Sequence, residues 1–311
     1  MTQLKRSNFI INDETEQKIE KLLGQMTLEE KIGQMTQRGT LKESDLEWIR
    51  EGKIGSLLNV READKVNELQ RIAVEESRLG IPLIIGDDVI HGYRSIFPIP
   101  LAESCSWNPE LLEETAAIAA REASAHGIHW IFAPMVDIAR DARWGRIAEG
   151  AGEDTYLGSV IAAARVKGFQ RNDWEDRPGI VACPKHFTAY GAAQAGRDYN
   201  TVDVPEMVLR ETYFPPFKAA LDAGAGTLMA AFNDLNGVPC TGNEWLLTDI
   251  LQKEWGFKGF VVSDWESVDE MVQHGYAASH TEAGSIAVKA GTHMDMHAKV
   301  YHEESPRLWH G

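Results

Sequence analysis

GFVVSDW, residues 259–265, is a short apolar run that ends in a hydroxyl, a carboxylate and an indole. Four residues from Phe260 to Ser263 are too few for a helix, and the run is apolar on both faces, which is the pattern of a strand buried in a parallel sheet. The same form recurs outward along the chain: IGSLLNV at 54–60, IPLIIGDD at 81–88, IHWIFAP at 128–134, GIVACPKHF at 179–187, GTLMAAFN at 226–233, and a weaker GTHMDM at 291–296. Amphipathic stretches at 62–79, 109–126, 206–223 and 267–274 lie between them. Buried strands alternating with helices, six or seven times in 311 residues, favour a TIM-like (β/α)8 barrel over an open doubly wound sheet. No eighth strand is legible, so the ring is expected to be irregular or incomplete. Residues 13–37 read as an opening helix, with a T-L-E-E capping box beginning at Thr27. No Gly-rich dinucleotide fingerprint, phosphate loop, internal repeat or low-complexity linker interrupts the pattern, and one barrel domain is expected over 1–311.

The net charge is −16, from 31 basic and 47 acidic residues. Such a chain repels phosphate backbones and anionic lipid, so neither nucleic acid nor a membrane is an expected partner. A neutral ligand suits it better. Cys105, Cys183 and Cys240 are too few for a disulfide framework and lack the paired spacing of a zinc site. Cys183, inside an apolar run, reads as a buried thiol. No metal and no cofactor is expected. The N-terminus has no apolar secretion core and no window approaches a membrane span, so a cytoplasmic location is expected, or a periplasmic or secreted one were a leader removed.

In a barrel, reactive groups gather at the C-terminal tips of the strands. The tips here are polar: Asp87-Asp88 leading to His91, Lys185-His186, Asn233, and Ser263-Asp264-Trp265. Hydroxyl partners, one carboxylate and an aromatic face are what a sugar site needs. Asp264 is a candidate nucleophile held ionised by nearby cations, or else an N-cap for the helix that follows. Lys185 and His186 could both reach one site only if the backbone at 185–187 departs from a regular strand, where neighbours face opposite ways, so a strained or cis non-proline bond is expected there. The loop at 137–157 holds Arg140, Arg143, Arg146, Glu149, Glu153 and Asp154; one arginine could fork a sugar while the rest staple the loop. Trp265 and Trp144 could each stack on a pyranose ring or simply pack.

With these residues in view, the chain resembles glycoside hydrolase family 3, most nearly its bacterial periplasmic-type β-glucosidases. The matching stretches are DVIHGYRSIFPIPLAES (88–104), FAPMVDIARDARWGRIAEGAGEDTYLGS (132–159), KHFTAYGAAQAGRDYNTVD (185–203), LNGVPCTGNEWLLTDILQKEWGFKGFVVSDW (235–265) and GTHMDM (291–296), in family order. The resemblance implies hydrolysis of terminal β-glucosyl residues from small glucosides or oligosaccharides through a covalent intermediate on Asp264. It implies glycone contacts from Asp88, Arg146, Lys185 and His186, an aglycone contact from Trp265, and a pocket floor of Met229 and Phe232. Phe232 stands where relatives often have Tyr, Ala142 and Thr155 where prolines are usual, and His293 where Asp or Asn is common.

Members of this kind continue into an α/β sandwich domain that supplies the acid/base glutamate, which is expected to be absent here. The single-domain branch uses a His/Asp pair in a loop that here reads GAAQAGRDYN, without histidine. A retaining glycosidase needs two carboxyl groups. With one in evidence, these residues alone are expected to hydrolyse ordinary glucosides poorly and to react with activated aryl glycosides. Alternatives are a sugar-binding barrel without turnover, half of a split enzyme completed by a separate sandwich domain, self-association through an apolar patch at the barrel mouth, and, from another class, a Schiff-base aldolase acting through Lys185.

Overall fold

The computed structural model describes residues 13–39, 41–171, 179–297 and 300–303. Eight short strands make the barrel: β1 (Thr36–Arg38), β2 (Ser56–Leu58), β3 (Ile84–Asp87), β4 (Trp130–Ile131), β5 (Val181–Ala182), β6 (Thr227–Met229), β7 (Phe260–Val262) and β8 (Asp295–Met296). Six of them form one parallel sheet in the order β8-β1-β2-β3-β4-β5, and β6 pairs in parallel with β7. Two single parallel bridges, Phe187 to Ala230 and Val262 to Met294, join these sheets into a closed ring. Across the seams, the Phe187 N–H donates to the Met229 carbonyl at 2.7 Å and the Met294 N–H to the Val261 carbonyl at 3.1 Å.

The ring is therefore whole, and the strand missing from the sequence reading is β1. The opening helix expected over 13–37 is instead two helices, Asp13–Leu23 and Leu28–Gln34, followed by a strand. Thr-Gln-Arg has no apolar residue to mark it, yet all three are buried. Most of their polar groups are met inside the fold, the Gln37 side-chain oxygen excepted, which has no hydrogen-bond partner among the described residues. The Thr36 hydroxyl donates to the Ile32 carbonyl at 2.9 Å, the Gln37 amide to the Ser56 hydroxyl at 2.8 Å, and Arg38 lies over the Trp48 ring at 5.1 Å. Buried polar groups satisfied in this way cost little. The capping box does form: Glu30 N–H donates to the Thr27 hydroxyl at 3.2 Å and Thr27 N–H to the Glu30 carboxylate at 2.8 Å.

Inside the ring, Leu58, Trp130, Phe132, Cys183, Met229, Val262, Met294 and Met296 pack together as a plug beneath the strand tips. The Trp130 indole N–H donates to the Thr227 hydroxyl at 2.7 Å, so the largest of these rings carries no orphan donor. Outside, the helix Pro109–Ala125 starts on an Asn108 cap and turns an alanine face to the helix Thr155–Phe169. The two approach so closely that a Cβ on Gly168 would meet the Glu113 carbonyl oxygen at 2.2 Å. That contact spans the elements flanking β4, which fixes the base of the loop at 137–157.

Of the helix-like segment expected at 297–311, Val300–Glu303 is helical; 298–299 and 304–311 lie outside the described residues, as do 1–12. No helix among the described residues is long and apolar enough to cross a membrane. On the segment leaving β3, Ile96 and Trp107 are 74% and 77% exposed. Among the described residues all three cysteines are free, and burial pushes the Cys183 thiol up to about 12.

Candidate active site

The strand tips open on a cavity of about 380 Å³. Its lining includes Asp88, Arg146, Lys185, His186, Met229, Phe232, Asp264 and Trp265, so the eight residues to which the resemblance gives a site role meet at one place.

Asp264 follows β7 and is 7% exposed. One carboxylate oxygen, Oδ1, accepts the Trp265 N–H at 2.7 Å. The other, Oδ2, lies 3.4 Å from His186 Nε2 and has no hydrogen-bond partner among the described residues. The capping alternative is corrected here. The helix Ser267–Gln273 begins on Glu266, and the Ser267 N–H bonds to the main-chain carbonyl of Asp264 at 3.1 Å, leaving the carboxylate turned to the cavity.

Lys185 and His186 both enter the site, and the peptide between them is cis. The Lys185 ammonium meets Asp88 Oδ1 at 2.7 Å. That pairing is not the isolated amine in an apolar pocket that a Schiff base requires. The His186 ring Nδ1 lies 2.9 Å from Asp137 Oδ2, which also accepts the His186 main-chain N–H at 3.0 Å.

In the loop after β4, Arg146 alone of the arginines lines the cavity. It forks Glu149 at 2.7 and 2.9 Å and lies over the Tyr190 ring at 5.6 Å. Arg143 closes on Asp141 at 2.6 Å, and Arg140 points at the Thr212 hydroxyl. Trp144 is corrected from a candidate platform to a packing residue. It is buried, edge-on to Tyr190 at 5.2 Å, with its N–H on Asp198 at 2.8 Å. His91 likewise folds its own loop, 2.9 Å from the Phe97 carbonyl.

Trp265, partly buried, is the aromatic wall. It stacks on His297 with centroids 4.1 Å apart and planes at 14°. Gly39 lies at the edge of that stack, where a Cβ would fall 2.4 Å from the Trp265 ring and 2.6 Å from His297 Nδ1. Across the cavity Phe232 packs on Tyr199 at 4.4 Å. Tyr199 is reached through a left-handed residue conformation, φ 64°, as is Asn59 on the opposite rim, φ 66°. Such conformations concentrate where a site dictates the backbone.

Burial dominates the electrostatics. It raises Asp264 to about 7, opposed by Lys185 and Arg146 and reinforced by Asp88. Burial likewise raises Asp137 to about 7 against the His186 N–H, Arg146 and Lys185, and pushes His186 well down, with Arg146 and Lys185 adding to that. Arg146 resists the burial that would lower it because Glu149 holds it charged. Tyr199 is raised to about 12, first by burial and then by Asp264.

Two site residues escape the sequence reading. Asp137 stands at the start of the polar loop, where it is one acid among several. Its signal is its place, two residues past Met135, which itself bridges to Lys185 on the next strand. Tyr199 sits in GAAQAGRDYN, a segment that draws notice only for its lack of histidine. Among the described residues no group of His, Cys, Asp and Glu is arranged to hold a metal ion.

Comparison with known proteins gives a consistent picture. Residues 27–308 match the glycosyl hydrolase family 3 N-terminal domain. The chain is 43% identical over 291 residues to the periplasmic β-glucosidase of Salmonella typhimurium, covering 92% of this chain and 38% of that protein. It is 36% identical to a β-xylosidase of Formosa agariphila, over 92% of this chain and 37% of that one. The crystal structure of a β-glucosidase from Listeria innocua in complex with glucose superposes with a TM-score of 0.88 at 40% identity, over 94% of this chain and 43% of the other. The chain thus spans about two-fifths of the length of these relatives.

Proposed function

Since the chain belongs to glycosyl hydrolase family 3, as its N-terminal domain, we propose that it carries the nucleophile and glycone pocket of a retaining β-glucosidase, with Asp264 as the attacking carboxylate. The observation that carries this reading is the setting of Asp264: a buried carboxylate at the lining of a cavity walled by Lys185–Asp88, Arg146–Glu149 and Trp265, with one oxygen held by a main-chain N–H and the other without a hydrogen-bond partner among the described residues.

The chemistry follows. The free oxygen of Asp264 attacks the anomeric carbon as the bond to the leaving oxygen breaks, giving a glycosyl ester; water then attacks the same carbon, the sugar departs and the carboxylate is restored. Asp88, Lys185 and Arg146 hold the glycone hydroxyls by charge-assisted hydrogen bonds, whose geometry gives the ring one orientation. His186 faces the same ring from beside the nucleophile. Met229 and Phe232 form the floor, and Trp265 the wall toward the aglycone. Glucose is the expected glycone, because the relatives above are named β-glucosidases; xylose is second, from the β-xylosidase.

Asp88 and Glu149, the other carboxyl groups lining the cavity, are each engaged by a cation at 2.7 Å, so neither stands free to serve the leaving oxygen. Residues 1–311 expressed by themselves should therefore act on aryl glucosides whose leaving groups need no proton, and poorly on cellobiose. A general acid is worth about 10²–10⁴-fold, which sets the gap expected between the two substrate classes.

The test is incubation with 2,4-dinitrophenyl 2-deoxy-2-fluoro-β-glucoside, then intact-mass and peptide mass spectrometry. One added fluoroglucosyl group on Asp264, absent from Asp264→Ala, supports the assignment. Labelling of another residue, or none, overturns it.

A further inference from the structure

Of the polar residues that face the glycone, Asp88 is the one that packing holds least. Its side chain is 49% exposed, against 23% for Arg146, 6% for Lys185 and 1% for His186. The direction of its carboxylate therefore depends on the main chain that carries it. The Asp88 N–H donates to Oδ1 of Asp87 at 2.8 Å, and Asp87 is buried at 1% exposure. A buried carboxylate persists only where its charge is matched and its oxygens are hydrogen-bonded. The match comes from the neighbouring strand tip. Arg61 forks Asp87, Nε to Oδ2 at 2.7 Å and Nη2 to Oδ1 at 2.8 Å.

A turn places Arg61 there. Just past β2, Asn59 takes a left-handed conformation, φ 66°, and its N–H donates to the Gly86 carbonyl on β3 at 3.1 Å. Asparagine is among the few residues that adopt this conformation at modest cost. Arg61 Nη2 also reaches back to Asn59 Oδ1 at 3.3 Å, so the guanidinium braces the turn that carries it.

We propose that the Arg61–Asp87 fork is a positioning device for the glycone: it locks the tip of β3 so that Asp88 faces the sugar and Lys185. This rests on the reading of Asp88 as a glycone contact given above. Hydrogen bonds run unbroken from Asn59 through Arg61, Asp87 and Asp88 to Lys185, and so join the tips of β2, β3 and β5. Asn59, Asp88 and Lys185 line the cavity, whereas Arg61 and Asp87 lie outside its lining, so the pair acts on the sugar only through its neighbours. Arg61 is 58% exposed and fills no core. What it supplies is a planar fork that fixes both oxygens of Asp87 at once, which a point charge on a flexible stem does not.

The test is glucose binding to residues 1–311, by isothermal titration calorimetry, for the wild type, Arg61→Ala, Asp87→Asn and Arg61→Ala/Asp87→Asn. Arg61→Ala should raise the dissociation constant about tenfold, the scale of one misplaced charge-assisted contact, with the number of sites unchanged. Asp87→Asn breaks the same fork and should match it. Two residues acting as a unit are not additive, so the double variant should bind no more weakly than either single one. It also strands no buried charge, which keeps the test decisive if Arg61→Ala folds poorly. Labelling by the dinitrophenyl fluoroglucoside should split the same way: a higher concentration for half-maximal rate, with the maximal rate within about twofold, because Asp264 stands on another strand. An unchanged dissociation constant in the double variant, or single losses that multiply to about a hundredfold, would overturn the proposal. Fewer sites at unchanged affinity, the mark of a merely structural role, would overturn it too. A wild type that binds glucose but is not labelled strikes at Asp264 alone; one that does not bind glucose removes the glycone pocket and this proposal with it.

Discussion

Replacing Glu103 by alanine should damage the protein more than its distance from the nucleophile suggests. Glu103 lies on the short helix Pro100–Ser104 and is 8% exposed; Arg165, on the helix Thr155–Phe169, is 5% exposed. The two meet at 2.7 Å. Arg165 also donates to the carbonyl of Ile90, a cavity residue two positions past Asp88, and its Nε has no partner among the described residues. The guanidinium thus ties the outer helix to the segment that presents Asp88. Glu103→Ala leaves a buried cation with one hydrogen bond, and a guanidinium cannot escape by losing its proton. Breaking a buried pair from one side costs about 3–5 kcal/mol, against a total stability of about 5–15 kcal/mol. At about 2–4 °C per kcal/mol, the midpoint should fall by roughly 10 °C. Arg165→Met should cost less at pH 5 than at pH 8, because a stranded carboxyl can neutralise itself by taking a proton. The double variant Glu103→Leu/Arg165→Met should recover most of the loss. Urea and thermal unfolding across pH, with KM for an aryl glucoside as a report on the Asp88 segment, provide the assay. A loss below about 1 kcal/mol for Glu103→Ala, or equal costs from both sides at every pH, would refute the argument.

Three further outcomes are expected. Gly39→Ala should push the Trp265 ring off its stack on His297, because the new methyl would sit 2.4 Å from the ring; near-UV circular dichroism should change and KM rise for aryl glucosides, and an unchanged spectrum would mean the wall yields freely. Lys185→Met should move the labelling midpoint of Asp264 to higher pH and Asp88→Asn to lower pH, since the first removes a charge that lowers this carboxyl and the second one that raises it; shifts of about 1–3 units are the scale, and movement in one direction for both would discount the electrostatic account. Asp295, buried at β8 and raised to about 7, keeps its proton in the fold between its ordinary 3.8 and about 7 where the unfolded chain has lost it, so stability falls as pH rises through that window. Asp295→Asn should remove up to about 4 kcal/mol of that decline, and parallel unfolding curves at pH 4 and pH 8 for both proteins would contradict it.

The fold was legible where the chain announces burial by being apolar. Each of the six strong runs holds one strand, and the weak GTHMDM run ends in β8. The strands are far shorter than the runs, two to four residues, because the rest of each run continues as extended backbone feeding the strand tips. β1 was illegible for a physical reason. Its burial comes from the closure of the ring, a property of eight strands together, and its polar side chains find partners on Ile32, Ser56 and Trp48 that lie nearby only once the ring exists. No local window of hydrophobicity contains that information.

The site divides along the same line. Residues at strand tips, such as Asp88, Lys185, His186 and Asp264, could be listed from the sequence because the barrel itself dictates where tips go. What distinguishes them from equally polar neighbours is a second layer that the sequence leaves unmarked. Arg146, Arg143 and Arg140 share one loop, yet only the first is turned to the cavity, and it is turned there by Glu149 and the Tyr190 face. Trp144 and Trp265 are both indoles beside reactive residues, yet Asp198 draws one into the core while Gly39 and His297 leave the other as a wall. Asp137 is the extreme case, an acid that reaches the chemistry only through the ring of His186. Its two contacts, with the main-chain and ring nitrogens of one residue on another strand tip, exist only once the ring of strands has closed, so no local stretch of sequence marks it.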